Sequence, residues 1–396
     1  MIDIRDKEKC CGCTACEQIC PKVCISMKED SEGFLYPFVD SQLCIGCGSC
    51  EKVCPVIHPF KPVQELPQSF ACKTHSEDLR LQSSSGGMFT TLASKMIDMR
   101  GVVFGAMFKE DWSVVHGYTE TMEGLKQFQG SKYVQSDLGN TFQTVRNFLK
   151  EGRLVLFSGT PCQVAGLNHF LKKKYENLYT IDIVCHSIPS PLVWKKYLKD
   201  KQKDSCIKHV TFRDKSAGWR NYGLTMSNEF QNVEKGTKDE NLYMRGFLEN
   251  LTVRPSCFAC PARNYTSGGD IMLADCWGLD KYHPEIDDNK GMSQALILTE
   301  KGQKLFDACH NDIFALRIPY EEVEDKDLHL PITASVPPHP YRAYFFANIG
   351  RQPIEDLMAY CLKRGDLRSK RVANVKKIGR ILGLGRIYRI WKERKK

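Results

Sequence analysis

Eight of the nineteen cysteines in this 396-residue chain fall into two copies of one spacing. The first is Cys10-x2-Cys13-x2-Cys16-x3-Cys20-Pro21, and the second, 34 residues on, is Cys44-x2-Cys47-x2-Cys50-x3-Cys54-Pro55. Three thiolates at such intervals reach three corners of one [4Fe-4S] cube, while the fourth, ahead of proline, crosses to the other cube. The pattern assigns Cys10, Cys13, Cys16 and Cys54 to one cluster, and Cys44, Cys47, Cys50 and Cys20 to a second. Gly12, Thr14 and Ala15, with Gly46, Gly48 and Ser49 in the second copy, keep the turns small enough to wrap a cube. Zinc also favours Cys-x2-Cys, but it wants four ligands where these runs supply eight in duplicate. Cys11 and Cys24 lie outside the spacing and read as spectators.

Four further cysteines come from three separated stretches. Cys162 follows Thr160, a fitting N-cap, and Pro161, a fitting first helical residue. A helix start favours an anion, so a thiolate there is stabilised as a ligand or nucleophile. Cys185 closes the next apolar run, and Pro255-Ser256-Cys257-Phe258-Ala259-Cys260-Pro261 adds a pair. Together Cys162, Cys185, Cys257 and Cys260 suffice for a third [4Fe-4S] cluster. For the lone Cys-x2-Cys, zinc or a redox dithiol are the alternatives, and Cys276 is a substitute ligand. Cys72, Cys206, Cys309 and Cys361 read as ordinary buried cysteines.

Clusters move single electrons, and a flavin is the usual converter to two-electron chemistry. Ser85-Gly86-Gly87 ahead of a helical pattern suits a phosphate or ribityl group, because glycine permits close backbone approach and the helix start attracts anions. Gly130-Ser131-Lys132-Tyr133-Val134-Gln135-Ser136 adds hydroxyls, an amide, a cation and an aromatic face. On spacing alone both stretches also read as plain turns. No Gly-x-Gly-x-x-Gly fingerprint is present.

The surrounding elements give an α+β or α/β fold class: a small bacterial-type two-cluster ferredoxin domain, then a mixed α/β body. Residues 1–62 form the ferredoxin domain. Pro59, Pro62 and Pro67 mark a linker. Residues 68–150 form the first part of the body, with a helix from Met88 and strands at Gly101–Phe108 and Val114–Tyr118. Residues 151–335 form the second part, where Leu154–Phe157 runs into a helix and Tyr179–Val184 ends at Cys185. Such strand-to-helix alternation places ligands at the carboxyl ends of strands.

At 42% apolar and 26% charged residues, the composition is that of a soluble globular protein. Nineteen cysteines would suggest a secreted disulfide scaffold in a short chain, but the polar, charged start lacks a secretory signal pattern, so a reducing, cytoplasmic setting is expected. The net charge of +9 sits at one end: Lys363 to Lys396 carries fourteen Lys or Arg and two acids, a balance of +12 that leaves −3 elsewhere. A nucleic-acid partner is not expected from so confined a basic stripe. Residues 336–396 read as a basic amphipathic tail suited to peripheral contact with an anionic membrane surface or an acidic partner, with a solvated terminal helix as the alternative.

Taken in order, Ser84-Ser85-Gly86-Gly87, Gly101-Val102-Val103-Phe104-Gly105, Gly130 to Ser136, Phe157-Ser158-Gly159-Thr160-Pro161-Cys162-Gln163, Cys185-His186, Phe212-Arg213-Asp214-Lys215 and Pro255-Ser256-Cys257-x2-Cys260 resemble the beta subunit family of coenzyme F420 hydrogenases and dehydrogenases. The resemblance runs from about Phe70 to about Thr299. It implies an iron-sulfur flavoprotein that binds FAD, carries a cluster in its body and exchanges electrons with an organic partner. Family members use deazaflavin F420, a plant relative reduces a chlorophyll derivative, and many bacterial relatives accompany surface-polysaccharide genes. The family commonly has Cys-His-Gly where this chain has Cys185-His186-Ser187, and an aromatic residue in place of Cys276.

The expected activity is electron transfer from ferredoxin or a redox subunit, through the clusters and FAD, to a small organic acceptor of the F420 type or related to polysaccharide precursors. Ser85, Gly86, Gly87, Gly130, Ser131, Lys132, Tyr133, Gln135, Ser136 and Thr160 are the candidate flavin contacts. Lys132 would stabilise reduced flavin, and His186 is the acid-base candidate. The alternatives are a non-catalytic electron-transfer subunit of a larger complex, and a membrane scaffold with structural clusters.

Overall fold

The two cysteine runs fold as near copies. Each passes a left-handed glycine, Gly12 (φ 72°) or Gly46 (φ 66°), and enters a one-turn helix, Ala15–Gln18 or Ser49–Lys52, through a left-handed N-cap. That N-cap is Gly48 in the second copy but Thr14 (φ 59°) in the first, a conformation that is unfavourable for a β-branched residue. The Thr14 hydroxyl offsets part of that cost by accepting from Gln18 Nε2 at 2.7 Å. Between the copies, β1 (Ile25–Glu29) and β2 (Leu35–Val39) pair as an antiparallel hairpin. Asp30 Oδ1 closes its turn by accepting from the N–H groups of Glu32 and Phe34, both at 3.0 Å.

The computed structural model describes residues 1–62, 65–202, 206–323 and 332–381, with side chains through Leu367. After the hairpin come β3 (Gln68–Thr74), β4 (Val102–Phe108), β5 (Val114–Thr119), β6 (Val155–Gly159) and β7 (Leu178–Ile183). Then follow β8 (His209–Asp214), β9 (Gly223–Ser227), β10 (Asn232–Thr237), β11 (Ile271–Asp275), β12 (Ser293–Ile297) and β13 (Ile313–Ile318). Eight of these make one sheet in the order β13-β3-β12-β11-β7-β6-β4-β5. Its centre, β11-β7-β6-β4, is parallel, and both flanks are antiparallel. Strands from both expected halves of the body thus share one sheet, because β4 pairs with β6 from Val102↔Val155 to Phe104↔Phe157.

Both faces of that centre are covered, so its strands are continuous apolar runs and not alternating ones. Val103 and Leu156 point to a core with Met88, Leu92 and Met96 of the helix Met88–Asp98. Val102, Phe104, Val155 and Phe157 point to the opposite core, with Val164 and Leu167 of the helix Pro161–Leu171. Cys11, Cys13, Ala15 and Val53 belong to this second core, so the ferredoxin domain packs on the body as part of its interior. Gln18 reinforces the contact by capping the helix Thr141–Lys150: its Oε1 accepts from Phe142 N at 2.8 Å and Gln143 N at 3.2 Å.

The remaining strands form an antiparallel sheet, β10-β9-β8. It packs with Trp194, Tyr197 and Tyr243 around a third core. That core also takes Phe345, Leu357, Met358, Cys361 and Leu362. One face of the expected tail up to Leu362 therefore belongs to the core: the helix Arg342–Asn348 and the start of Ile354–Ile381 bury apolar residues that the basic composition conceals. The strongly basic side chains from Arg368 onward lie outside the described residues. Among the described residues, no helix is long and apolar enough to cross a membrane.

Candidate functional site

Each cysteine set assigned by spacing surrounds its own small cavity. Cys10, Cys13, Cys16 and Cys54 line one, with Ile2, Ile4 and Met27. Cys20, Cys44, Cys47 and Cys50 line another, with Ile25 and Val39. Among the described residues no three His, Cys, Asp or Glu side chains converge as closely as a single ion requires. The thiols face a space instead of meeting at a point. The second cavity is the outer one: Cys47 is exposed, as are neighbouring Leu43 and Ile45.

Cys162, Cys185, Cys257 and Cys260 line a third cavity. Cys162 stands at the second position of the helix Pro161–Leu171, whose start is secured by Thr160 N donating to Gln163 Oε1 at 3.0 Å. Cys185 follows β7, and Cys257 lies in a short turn held by Arg254 N donating to Ile188 O at 2.8 Å. Helix start, strand end and turn thus converge, with Cys257 Sγ accepting from Ile188 N at 3.3 Å.

The expected stabilisation of a Cys162 thiolate is not what its surroundings give. Contact with Cys11 and burial push that thiol well above its ordinary range. Burial does the same to Cys185 and lifts Cys257 to about 12. Four cysteines, Cys257 buried and the other three half-buried, line one cavity, and thiols raised in this way need a positive metal core to hold them as thiolates, so this donor set fits an iron-sulfur cluster. Cys276 does not reach the cavity; it packs with Ala71, Trp219 and Met292. Cys206, expected to be buried, is exposed, whereas Cys72, Cys309 and Cys361 are buried.

A wide cleft, with about 1670 Å³ of space counting the part open to solvent, lies beyond the carboxyl ends of the parallel strands. Gly159 at the end of β6, Ile183 to His186 at the end of β7 and Asp275 at the end of β11 line it. The two glycine-containing stretches form its wall, tied together where Ser131 N donates to Ser84 Oγ at 2.7 Å. Of the residues singled out by sequence, Ser85, Gly87, Gly130, Ser131, Lys132, Tyr133, Ser136, Thr160 and His186 line it. Gly87 (φ 87°) is the left-handed N-cap of Met88–Asp98, so that helix start faces the cleft.

Two expected contacts lie elsewhere. Gly86 is wedged into the sheet, where a Cβ would stand 2.5 Å from Cys72 O and 2.7 Å from Ser293 N. Gln135 turns away and accepts from Arg254 Nη1 at 3.1 Å. Lys132 donates to the carbonyls of Gln127 and Gln129 at 2.9 Å and of Gly130 at 3.2 Å, which fixes the loop. Burial lowers its pKa to about 7, although its rim is open to the cleft. His186, lowered by burial, pairs through Nε2 with Asn250 Oδ1 at 2.9 Å.

Sequence reasoning missed three features. His116 lines the cleft with Nε2 3.1 Å from Ser158 O and Nδ1 without a partner, and burial holds it neutral, near 4. Arg213 stands out in the sequence only as part of a motif. It makes a bidentate pair with Asp275 at 2.9 and 3.0 Å on the cleft wall. Cys11, a spectator by spacing, lines both the first and the third cavities. Only the adjacency Cys10-Cys11 hinted at this last role.

Fold and cavities together define an iron-sulfur protein with a two-cluster ferredoxin domain ahead of a mixed α/β body. Residues 9–57 match the 4Fe-4S dicluster domain family. Residues 152–321 match the family described as the C terminus of the coenzyme F420 hydrogenase/dehydrogenase beta subunit. Among solved structures, it is similar to a chain of the F420-reducing [NiFe] hydrogenase complex from Methanosarcina barkeri: 12% identity and a TM-score of 0.45, over 78% of this chain and 93% of that one. No curated protein matches the chain.

Proposed function

We propose that this chain is an iron-sulfur flavoprotein oxidoreductase, in which electrons enter at the exposed second cluster and leave through FAD in the cleft to a small organic acceptor. One observation carries the reading: the four spaces lie in series. Cys16 and Cys54 of the first cavity pack with Cys20 and Cys44 of the second against one cluster of Ile2, Cys24, Ile25 and Cys50, so these two cavities are neighbours. Cys11 lines the first and third cavities, and Cys185 and Thr160 line the third cavity and the cleft. No other cysteine set leads to that cleft among the described residues.

The cleft suits a flavin dinucleotide by its size, its glycine-bounded helix start and the hydrogen-bonding amine of Lys132 on its wall. A bound flavin supplies the conversion between single electrons and hydride. Ser85, Ser131 and the backbone N–H groups of the first helical turn from Met88 would hold phosphate, and Lys132 would lie beside the ring or the phosphates. His186, held neutral and oriented by Asn250, is the proton-carrying side chain next to Cys185.

Anaerobic purification with iron and flavin quantitation tests this. Three clusters and one flavin predict about twelve irons and one FAD per chain. About eight irons would remove the third cluster from the reading. Full iron with no uptake of added FAD would leave a subunit that passes electrons to another polypeptide.

A further inference from the structure

Arg254 is the one fully buried arginine among the large side chains of the interior, with no measurable exposure. Its hydrogen bonds all go to neutral acceptors: Nε to Cys10 O at 2.8 Å, Nη1 to Gln135 Oε1 at 3.1 Å and Nη2 to Leu35 O at 2.9 Å. Its guanidinium also lies over the rings of Tyr36, at 4.3 Å, and Phe34, at 5.3 Å. Among the described residues no carboxylate pairs with it. The half-buried Arg342 of the same interface, by contrast, has Glu32 for a partner. A guanidinium sealed from water without a counter-charge is strongly unfavourable, so the native state must supply negative charge in some other form.

The position of Arg254 indicates where that charge resides. The residue immediately precedes Pro255-Ser256-Cys257 and lines the third cavity. It reaches across the domain boundary to the loop of the first cluster, bonding the Cys10 carbonyl. At Gly12 a Cβ would stand 2.9 Å from Nη1. Gly12 is thus the glycine that lets the cation lie flat on the loop between Cys10 and Cys13. The outer cavity, around Cys20, Cys44, Cys47 and Cys50, has no buried arginine on its wall; the basic side chain there, Lys22, is exposed.

We propose that Arg254 is a shared counter-charge for the first and third clusters, raising the reduction potentials of both relative to the second. The inference rests on the cluster assignment above. A cubane with four thiolates carries net negative charge, and reduction adds to it. A buried cation between two such groups therefore stabilises their reduced forms, since cluster potential follows local charge, hydrogen bonding and exposure. Attraction is strong there because the interior is poorly screened. The consequence for the relay is directional: electrons arriving at the exposed cluster move inward. Arg254 would be a positioning and tuning residue, touching ligand loops and not substrate.

The test is an EPR-monitored redox titration of the full-length, anaerobically loaded protein and of R254M and R254K. In R254M the first and third clusters should become harder to reduce by about tenfold in equilibrium constant, which is about 59 mV for a one-electron couple. The second cluster should hold its potential, and R254K should stay near wild type. Unchanged potentials in an R254M protein with full iron would overturn the proposal. So would equal shifts in all three clusters, or an R254K that behaves like R254M, because these outcomes mark a hydrogen-bonding role without a charge effect. If R254M fails to retain iron, R254Q keeps an amide donor toward the Cys10 and Leu35 carbonyls without the charge and gives the same comparison. A wild-type protein lacking the third cluster would defeat the proposed function, while the first cluster would still report on Arg254.

Discussion

Gly166 sits in the middle of the helix Pro161–Leu171, one turn beyond Cys162. An exposed helical glycine replaced by alanine normally gains about 1 kcal/mol of stability. Here an added Cβ would lie 2.8 Å from Cys13 Cβ and 3.0 Å from Cys13 Sγ, with Phe142 Cε2 at 3.4 Å. Carbon atoms in contact prefer about 3.5–4.0 Å, so the methyl group intrudes by most of an ångström onto a ligand of the first cluster. Overpacking of a tight core costs about 1–3 kcal/mol. That outweighs the helix gain and leaves G166A less stable by up to about 2 kcal/mol. The second expected effect is local, because Cys13 must shift: the first cluster should lose iron or change its EPR signal, while the second is unaltered. Urea unfolding under anaerobic conditions, with iron analysis, measures both. G246A is the control. In the helix Leu242–Leu248 its Cβ would meet nothing closer than Thr252 Cγ2 at 3.3 Å, and G246A should be neutral or slightly stabilised. A G166A protein at least as stable as wild type with all its iron would refute the close docking of the ferredoxin domain on this helix.

Asp182 in β7 is fully buried, accepts from Ser267 Oγ and has an unpartnered Oδ1; burial raises its pKa to about 7. A raised carboxyl holds its proton in the folded state, so its stability contribution is full below the unfolded pKa of about 3.9 and declines as pH rises toward 7. D182N should therefore match wild type near pH 4 and exceed it above pH 7, by at most about 4 kcal/mol; thermal melts showing a pH-independent difference would contradict this. C276A should retain every iron, since Cys276 packs with Ala71 and Trp219 away from the third cavity; iron analysis showing a missing cluster would reverse that assignment. K132M withdraws donors from three carbonyls of the cleft loop, at about 1 kcal/mol each. Its flavin content should fall with iron unchanged, as absorbance and iron assays would register.

Local chemistry was the legible part of the chain. Cluster-ligand spacing is a property of a few consecutive residues, and the assigned sets do surround separate cavities. Cys162, Cys185 and the Cys257–Cys260 pair were recognisable because each ends a strand or begins a helix or turn, and a parallel sheet brings such ends to one edge. What depended on docking was hidden. Cys11, Gln135 and Arg254 acquire their surroundings only where the ferredoxin domain meets the helix Pro161–Leu171. Gln135 looked like a cleft residue because its neighbours Tyr133 and Ser136 are, yet its side chain takes the other side of the wall. Composition misled at the far end, where Leu357, Met358, Cys361 and Leu362 belong to the core although the chain just beyond is strongly basic.

The central claim is a continuous path from the exposed cluster to the cleft, and C257S interrupts it at the third cavity. Flavin-loaded wild type and C257S would be mixed anaerobically with a reduced ferredoxin, and flavin bleaching followed by stopped-flow absorbance. Rapid bleaching is expected in wild type and none from the protein donor in C257S, whose flavin remains reducible by dithionite acting directly. Equal bleaching of both proteins by the ferredoxin would contradict it.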